Sequence, residues 1–167
     1  KIQKQRITQN KFREKAFRIA LIGYTNAGKS TLMNILTESN VLVENKLFAT
    51  LDTTTRKLPL KVGMPVLISD TVGFIRNLPH NLIASFRSTL KEIQDVDLLI
   101  KVIDINSNNI KEHINTINTV LTELNVYTKK TLLLFNKIDT LDNNNVLKGL
   151  IERYSDALFI SSLKLTG

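Results

Sequence analysis

Lys29 and Ser30 close the run Gly23-Tyr24-Thr25-Asn26-Ala27-Gly28-Lys29-Ser30, with Thr31 behind them. The spacing G-x-x-x-x-G-K-[ST] suits one kind of chemistry. Its glycines let the backbone wrap a polyphosphate, so that N–H groups and a helix N-terminus face the phosphate oxygens. Lys29 then reaches the β- and γ-phosphates, and the Ser30 hydroxyl is a candidate ligand for Mg²⁺. Downstream, Asp70-Thr71-Val72-Gly73 offers a carboxylate for the same ion and a backbone N–H that can approach a γ-phosphate. Asn136-Lys137-Ile138-Asp139 offers a base pocket. Guanine presents two neighbouring donors, N1–H and N2–H₂, and the Asp139 carboxylate can accept both. Asn136 can bond the other base edge and tie loops together, while the Lys137 stem can lie over the ring. Adenine lacks the 2-amino group and the N1–H, so it would leave Asp139 buried and unpaired. Sites built on such bonds discriminate ~10⁴-fold or more. Ser161-Ser162-Leu163 can complete the pocket through backbone N–H groups or be a plain loop.

These groups need elements to hold them. Ala16–Gly23 is a short apolar run ending in Gly and predicts a buried strand. From Lys29 the apolar spacing turns helical to about Ser39. Residues 40–56 show no clean period and predict a long loop, which inside a compact domain is usually functional. Residues 56–62 and 66–69 predict two strands joined by a tight turn at Gly63, Met64 and Pro65. Helical spacing returns from Asn81 to about Val96, followed by a strand over Leu98–Asp104. Ile110, Ile114, Ile117, Val120, Leu121 and Leu124 mark the apolar face of a further helix. Thr131–Asn136 predicts a strand, residues 146–154 a short helix capped from the Asn143–Asn145 cluster, and Ala157–Ser161 a last strand. Strands alternating with helices imply a mostly parallel sheet covered on both faces, with ligands at the carboxyl ends of its strands. Each candidate motif falls just after a different strand.

The 167 residues suffice for one domain with a sizeable core. Without cysteine the chain forms neither a disulfide nor a thiolate zinc site. No apolar run approaches the ~20 residues of a membrane helix, and the charged start is unlike a secretory signal. The net charge of +8 is uneven: residues 1–18 carry +6, leaving about +2 for the other 149. A cationic leader can seek nucleic acid or be a solvated linker.

The order phosphate, metal, base resembles the P-loop GTPases of the Ras-like class. The stretches GYTNAGKS, LFATLD and DTVGFIRNLPH resemble more closely the G domain of the HflX family, within the Obg–HflX group. The resemblance implies an α/β, Ras-like fold with a mostly parallel six-stranded sheet and helices on both faces. It implies a Mg²⁺-dependent GTPase associated with the large ribosomal subunit, in ribosome rescue, splitting or assembly. It makes Phe48-Ala49-Thr50-Leu51-Asp52 the first switch, with Thr50 a Mg²⁺ ligand beside Ser30 and Asp70. Thr53, Thr54 and Thr55 offer rival hydroxyls, and Thr53 stands where the family usually has Pro. Lys29, Thr50 and Gly73 are then the expected catalytic residues. Residues 1–15 are expected to be the basic end of a linker from an N-terminal region, and 16–167 a G domain cut short at its C-terminus. A cytoplasmic monomer is expected, with a peripheral membrane location left open.

In many GTPases a Gln after D-x-x-G orients the attacking water. Phe74 stands there and cannot hydrogen-bond water. Slow hydrolysis alone, and faster hydrolysis on the ribosome, is the expectation. Asn26 makes K⁺ a further candidate cofactor, supplying charge where an arginine finger would. Arg56, Arg76 and His80 lie in or beside the switches and read as solvated. His113 reads as structural. A different emphasis makes the chain a binding switch whose GTP and GDP states change its hold on RNA or protein. An ATPase or nucleotide kinase is the poorer reading, because Asp139 argues for guanine.

Overall fold

Alternating side chains decide where the sheet's two cores form. The computed structural model describes residues 16–39, 54–61, 63–71 and 93–167. Within them, strands β1 (Phe17–Gly23), β2 (Thr54–Lys57), β3 (Val66–Asp70), β4 (Leu98–Asp104), β5 (Lys130–Asn136) and β6 (Leu158–Phe159) form one sheet. Its order is β2-β3-β1-β4-β5-β6. Only β2 runs antiparallel to its neighbour. Helices α1 (Lys29–Leu36), α2 (Ile110–Glu123) and α3 (Asn144–Arg153) complete the described elements, with a 3₁₀ turn at Ile138–Thr140.

Successive strand residues point to opposite faces. On one face Leu21, Ile68, Ile100, Val102 and Leu134 meet Leu32 and Met33 of α1. On the other, Ala20, Ile22, Leu99, Ile103 and Phe135 meet Ile117 and Leu121 of α2, with Leu147 and Leu150 of α3 at the margin. Burial on both faces leaves β1, β4 and β5 with the continuous apolar runs typical of parallel strands. Lys101 is the exception on the α2 face. Its ammonium donates to the Asn118 side chain at 2.8 Å, and partial burial lowers its pKa. The expected α/β architecture is therefore the one that forms.

Several boundaries differ from expectation, and the last strand spans only Leu158–Phe159 of the expected Ala157–Ser161. β2 begins at Thr54, inside the expected loop, and stops at Lys57. Thr54 and Thr55 are β-branched, and the Thr55 hydroxyl pairs with that of Ser69 at 2.7 Å. Leu58 N–H still donates to Val66 O at 2.8 Å, but Pro59 has no N–H to carry the ladder on. The turn is therefore wider than Gly63–Pro65. Helix α1 ends at Leu36 rather than Ser39, because Thr37 and Glu38 leave the helix and Glu38 takes a positive φ of 52°. Helix α3 starts at Asn144 because the Asn143 side chain accepts from Asn145 N–H at 2.8 Å. The helix expected over Asn81–Val96 lies mostly outside the described residues. Ile93 and Gln94 are helical, and the chain then turns into β4.

Candidate functional site

Parallel β1, β3, β4 and β5 end along one rim, which brings four separated turns together. At the phosphate end, the loop after β1 needs its two glycines for different reasons. A Cβ at Gly23 would lie 2.2 Å from Val102 O, so glycine permits the close approach of β1 to β4. Gly28 has φ 90°, and a Cβ there would lie 2.2 Å from the Asn136 amide. Asn26 also takes a positive φ, 62°, at the exposed crest of the loop. Gly28 caps α1, whose first turn carries Lys29, Ser30 and Thr31.

Lys29 is only 6% exposed. Its ammonium donates to Gly23 O at 3.2 Å and Tyr24 O at 3.0 Å. Burial lowers its pKa to about 8, against the opposing pull of the Asp70 carboxylate. The Ser30 hydroxyl donates to Asp70 Oδ2 at 2.5 Å. A hydroxyl and a buried carboxylate brought together beside a lysine form a hard-oxygen donor pair that fits Mg²⁺. The Thr71 hydroxyl turns back to Leu21 O at 2.7 Å and ties the segment to β1. The Thr55 hydroxyl pairs with that of Ser69. Arg56 is half-buried and donates to the Asn34 side chain on α1 at 2.7 Å. Phe48, Ala49, Thr50, Leu51, Asp52, Val72, Gly73, Phe74, Arg76 and His80 lie outside the described residues.

The base end is held by side chains. Asn136 is 1% exposed, and both ends of its amide are engaged. Nδ2 donates to Ala27 O at 3.0 Å, and Oδ1 accepts from Ser162 N–H at 3.0 Å. One side chain thus ties the phosphate loop to the last loop. Ser161 donates its hydroxyl to Asp139 Oδ1 and accepts from Lys164 N–H at 2.9 Å. Lys137 takes a positive φ of 70°, and its ammonium meets Asp104 Oδ2 at 2.7 Å. Leu163 stands apart from this cluster, 74% exposed.

A family model described as 50S ribosome-binding GTPase matches residues 18–137. The chain belongs to that family. GTPase HflX of Flavobacterium psychrophilum is 53% identical over 83% of the chain and 33% of its own length. GTPase HflX of Magnetococcus marinus is 47% identical over 87% of the chain and 34% of its own length. The chain thus spans about a third of the length of the curated relatives it matches. Both carry the name to which its loops pointed. A GTP-binding protein from Sulfolobus solfataricus, solved in complex with GDP, superposes with a TM-score of 0.67 at 28% identity. It covers 97% of this chain and 51% of its own. The Ras-like fold and the GTPase class follow. Among the described residues, no helix is long and apolar enough to cross a membrane.

The sequence reading missed the support for Lys137. Asp104 Oδ1 accepts from the backbone and side chain of Asn106 at 3.0 and 3.2 Å. Asn106 in turn donates to Thr140 Oγ1 at 2.5 Å, and Thr140 donates to Lys137 O at 2.6 Å. A signal was present. Asp104 ends β4 as Asp70 ends β3, and it stands opposite Asn136 in the strand register.

Proposed function

We propose that this GTPase grips GTP and GDP along the rim, hydrolyses GTP slowly by itself and meets its activator on the large ribosomal subunit. The observation that carries the reading is the tie made by Asn136, which joins the Lys29 loop to the Ser161–Ser162 loop across a buried amide. In this reading Lys29 leaves the Gly23 and Tyr24 carbonyls to neutralise the β- and γ-phosphates. Loop N–H groups and the N-terminus of α1 face the same oxygens. Ser30 and Asp70 would hold Mg²⁺, with Thr50 assigned beside them by family pattern. When bound, Mg²⁺ neutralises charge developing on the transferred phosphoryl group. Asp139 accepts from the guanine N1–H and N2–H₂, and Lys137, braced by Asp104, lies over the ring.

Water attacks the γ-phosphate to give GDP and phosphate, and this is the step the chain serves poorly. Gly73 N–H can bind the phosphate, but Phe74 offers no hydrogen bond to the water. Activation in trans supplies ~10³–10⁵ in rate in related enzymes, or about 4–7 kcal/mol of barrier. The family description and the HflX relatives support the large ribosomal subunit as the source. A cytoplasmic location goes with that partner. Asn26, at the exposed crest of the phosphate loop, is the residue that would help hold K⁺.

The test is GTP turnover with and without large ribosomal subunits. A rise of at least tenfold with subunits is expected, and an unchanged rate would remove the ribosomal part. Calorimetry with GDP and with a non-cleavable triphosphate analogue tests the grip itself, and no heat from folded protein would end it. Equal hydrolysis rates in NaCl and KCl would dismiss the K⁺ role.

A further inference from the structure

We propose that His113 is a positioning residue for the phosphate loop, acting through a ring stack on Tyr24. His113 belongs to α2 and to none of the nucleotide motifs. Its ring lies face to face with that of Tyr24, with centroids 3.9 Å apart and planes at 17°. Tyr24 carries two of the contacts that shape the loop. Its carbonyl accepts both the Lys29 ammonium at 3.0 Å and the Ala27 N–H at 3.3 Å. The first turn of the loop and the resting place of Lys29 therefore converge on one peptide group. The ring that fixes this residue is held from outside the loop.

His113 is itself anchored. Its Nδ1 lies 3.1 Å from the Ser107 hydroxyl, and Ser107 N–H donates to Asp104 O at 3.0 Å. Backbone of the same helix seats it, with His113 N–H donating to Asn109 O at 3.0 Å. The segment Asp104–Asn109 thus serves both ends of the cleft. Asp104 holds Lys137 at the base end, and Ser107 orients the ring that holds Tyr24 at the phosphate end. A stacked aromatic pair contributes beyond the area it buries, and here the excess is applied to the loop that must close on phosphate. The proposal rests on the nucleotide reading above.

The experiment is release of a fluorescent GDP analogue from the intact chain, followed with the melting temperature of the nucleotide-free protein. His113→Leu keeps a side chain of similar size but loses the ring stack and the contact with Ser107, and it is expected to speed release about three- to tenfold. His113→Phe restores a ring and should return release to within about twofold of the parent. Tyr24→Leu should match His113→Leu, and the double variant should be no worse than either alone. Equal release from the Leu and Phe variants, or additive effects in the double variant, would mark plain core packing and overturn the proposal. Ser107→Ala keeps the test alive should His113→Leu not fold: about twofold faster release is expected, and no change counts against the proposal. A parent protein that binds no GDP analogue at all would instead remove the nucleotide reading.

Discussion

The phosphate end and the base end of the cleft are built from different materials. At the base end, side chains make the bonds: Asn136 to two backbones, Asp139 to Ser161, Lys137 to Asp104. At the phosphate end, backbone and glycine dominate, and the buried Lys29 ammonium rests on carbonyls of its own loop. The base end is a preformed mould. The phosphate end stores an ammonium at a cost, which an anion relieves. Lys29, held at a pKa of about 8 by burial, marks that cost. A shift from 10.5 to about 8 corresponds to about 3 kcal/mol of penalty on the charged form. Substitutions at the two ends should therefore differ in sign for stability, although both weaken nucleotide binding.

The largest effect is expected from Asp139→Asn. Guanine then loses an acceptor for two donors, and GTP affinity should fall by about 10⁴-fold. Xanthosine nucleotides, with an oxygen at position 2, should bind better than GTP. Unchanged GTP affinity by calorimetry would break the base assignment. The contrast in stability comes next. Asn136→Ala strands Ala27 O and Ser162 N–H, each a buried group worth about 1–3 kcal/mol when unpaired. Denaturant unfolding should show a loss of about 2–5 kcal/mol. Lys29→Met removes the buried charge and keeps the stem. The nucleotide-free protein should be as stable as the parent or gain up to about 3 kcal/mol, while triphosphate affinity falls about 30-fold or more. A Lys29→Met protein destabilised as much as Asn136→Ala would erase the distinction between the two ends.

That distinction was only partly legible in the sequence. The strands β1, β4 and β5 read clearly because both faces are buried and their runs are apolar but for Lys101 and the strand ends. The motif residues read clearly because each follows such a strand. The hairpin edge did not, since Thr54 and Thr55 look like loop residues until Ser69 and Asp70 stand opposite them. The direction of a hydroxyl is also invisible in one dimension: Thr71 turns to β1, Thr55 to β3 and Ser30 to Asp70. Asn136 could be read as a tie between loops, because its spacing to Asp139 is part of a pattern. Asp104 carried only its place at a strand end as a signal, and His113 carried none, because their partners Lys137 and Tyr24 are far off in the chain.

Acid–base behaviour sharpens the same comparison with a smaller effect. Below pH 8 Lys29 is already an ammonium, and phosphate binds it as it stands. Between pH 8 and the ordinary lysine range the nucleotide-free protein has lost that proton, so binding must take one up. Mg²⁺-free GDP affinity should therefore fall about tenfold between pH 7 and pH 9. Calorimetry in buffers of different ionisation heat should show proton uptake at pH 9 and almost none at pH 6.5. Stability moves the other way. The folded-state pKa lies below the unfolded one, so the penalty is in force below pH 8 and fades as pH rises from about 8 to 10.5. Lys29→Met should abolish both the uptake and this part of the pH slope.

The smallest expected effect falls on the brace at the base end. Asp104→Asn keeps the shape and most of the bonding to Asn106 but removes the charge facing Lys137. Both side chains of the pair are 27% exposed, so water screens part of their attraction. A loss of about two- to fivefold in affinity is expected, equal for GDP and GTP because the phosphates are untouched. Adding Lys137→Met to Asp104→Asn should cost little beyond Lys137→Met alone, since the carboxylate acts through that ammonium. A loss that grew with the number of phosphates would place Asp104 at the other end of the cleft. It would then be reporting on Tyr24 and Lys29 through the Ser107–His113 contact rather than on the base.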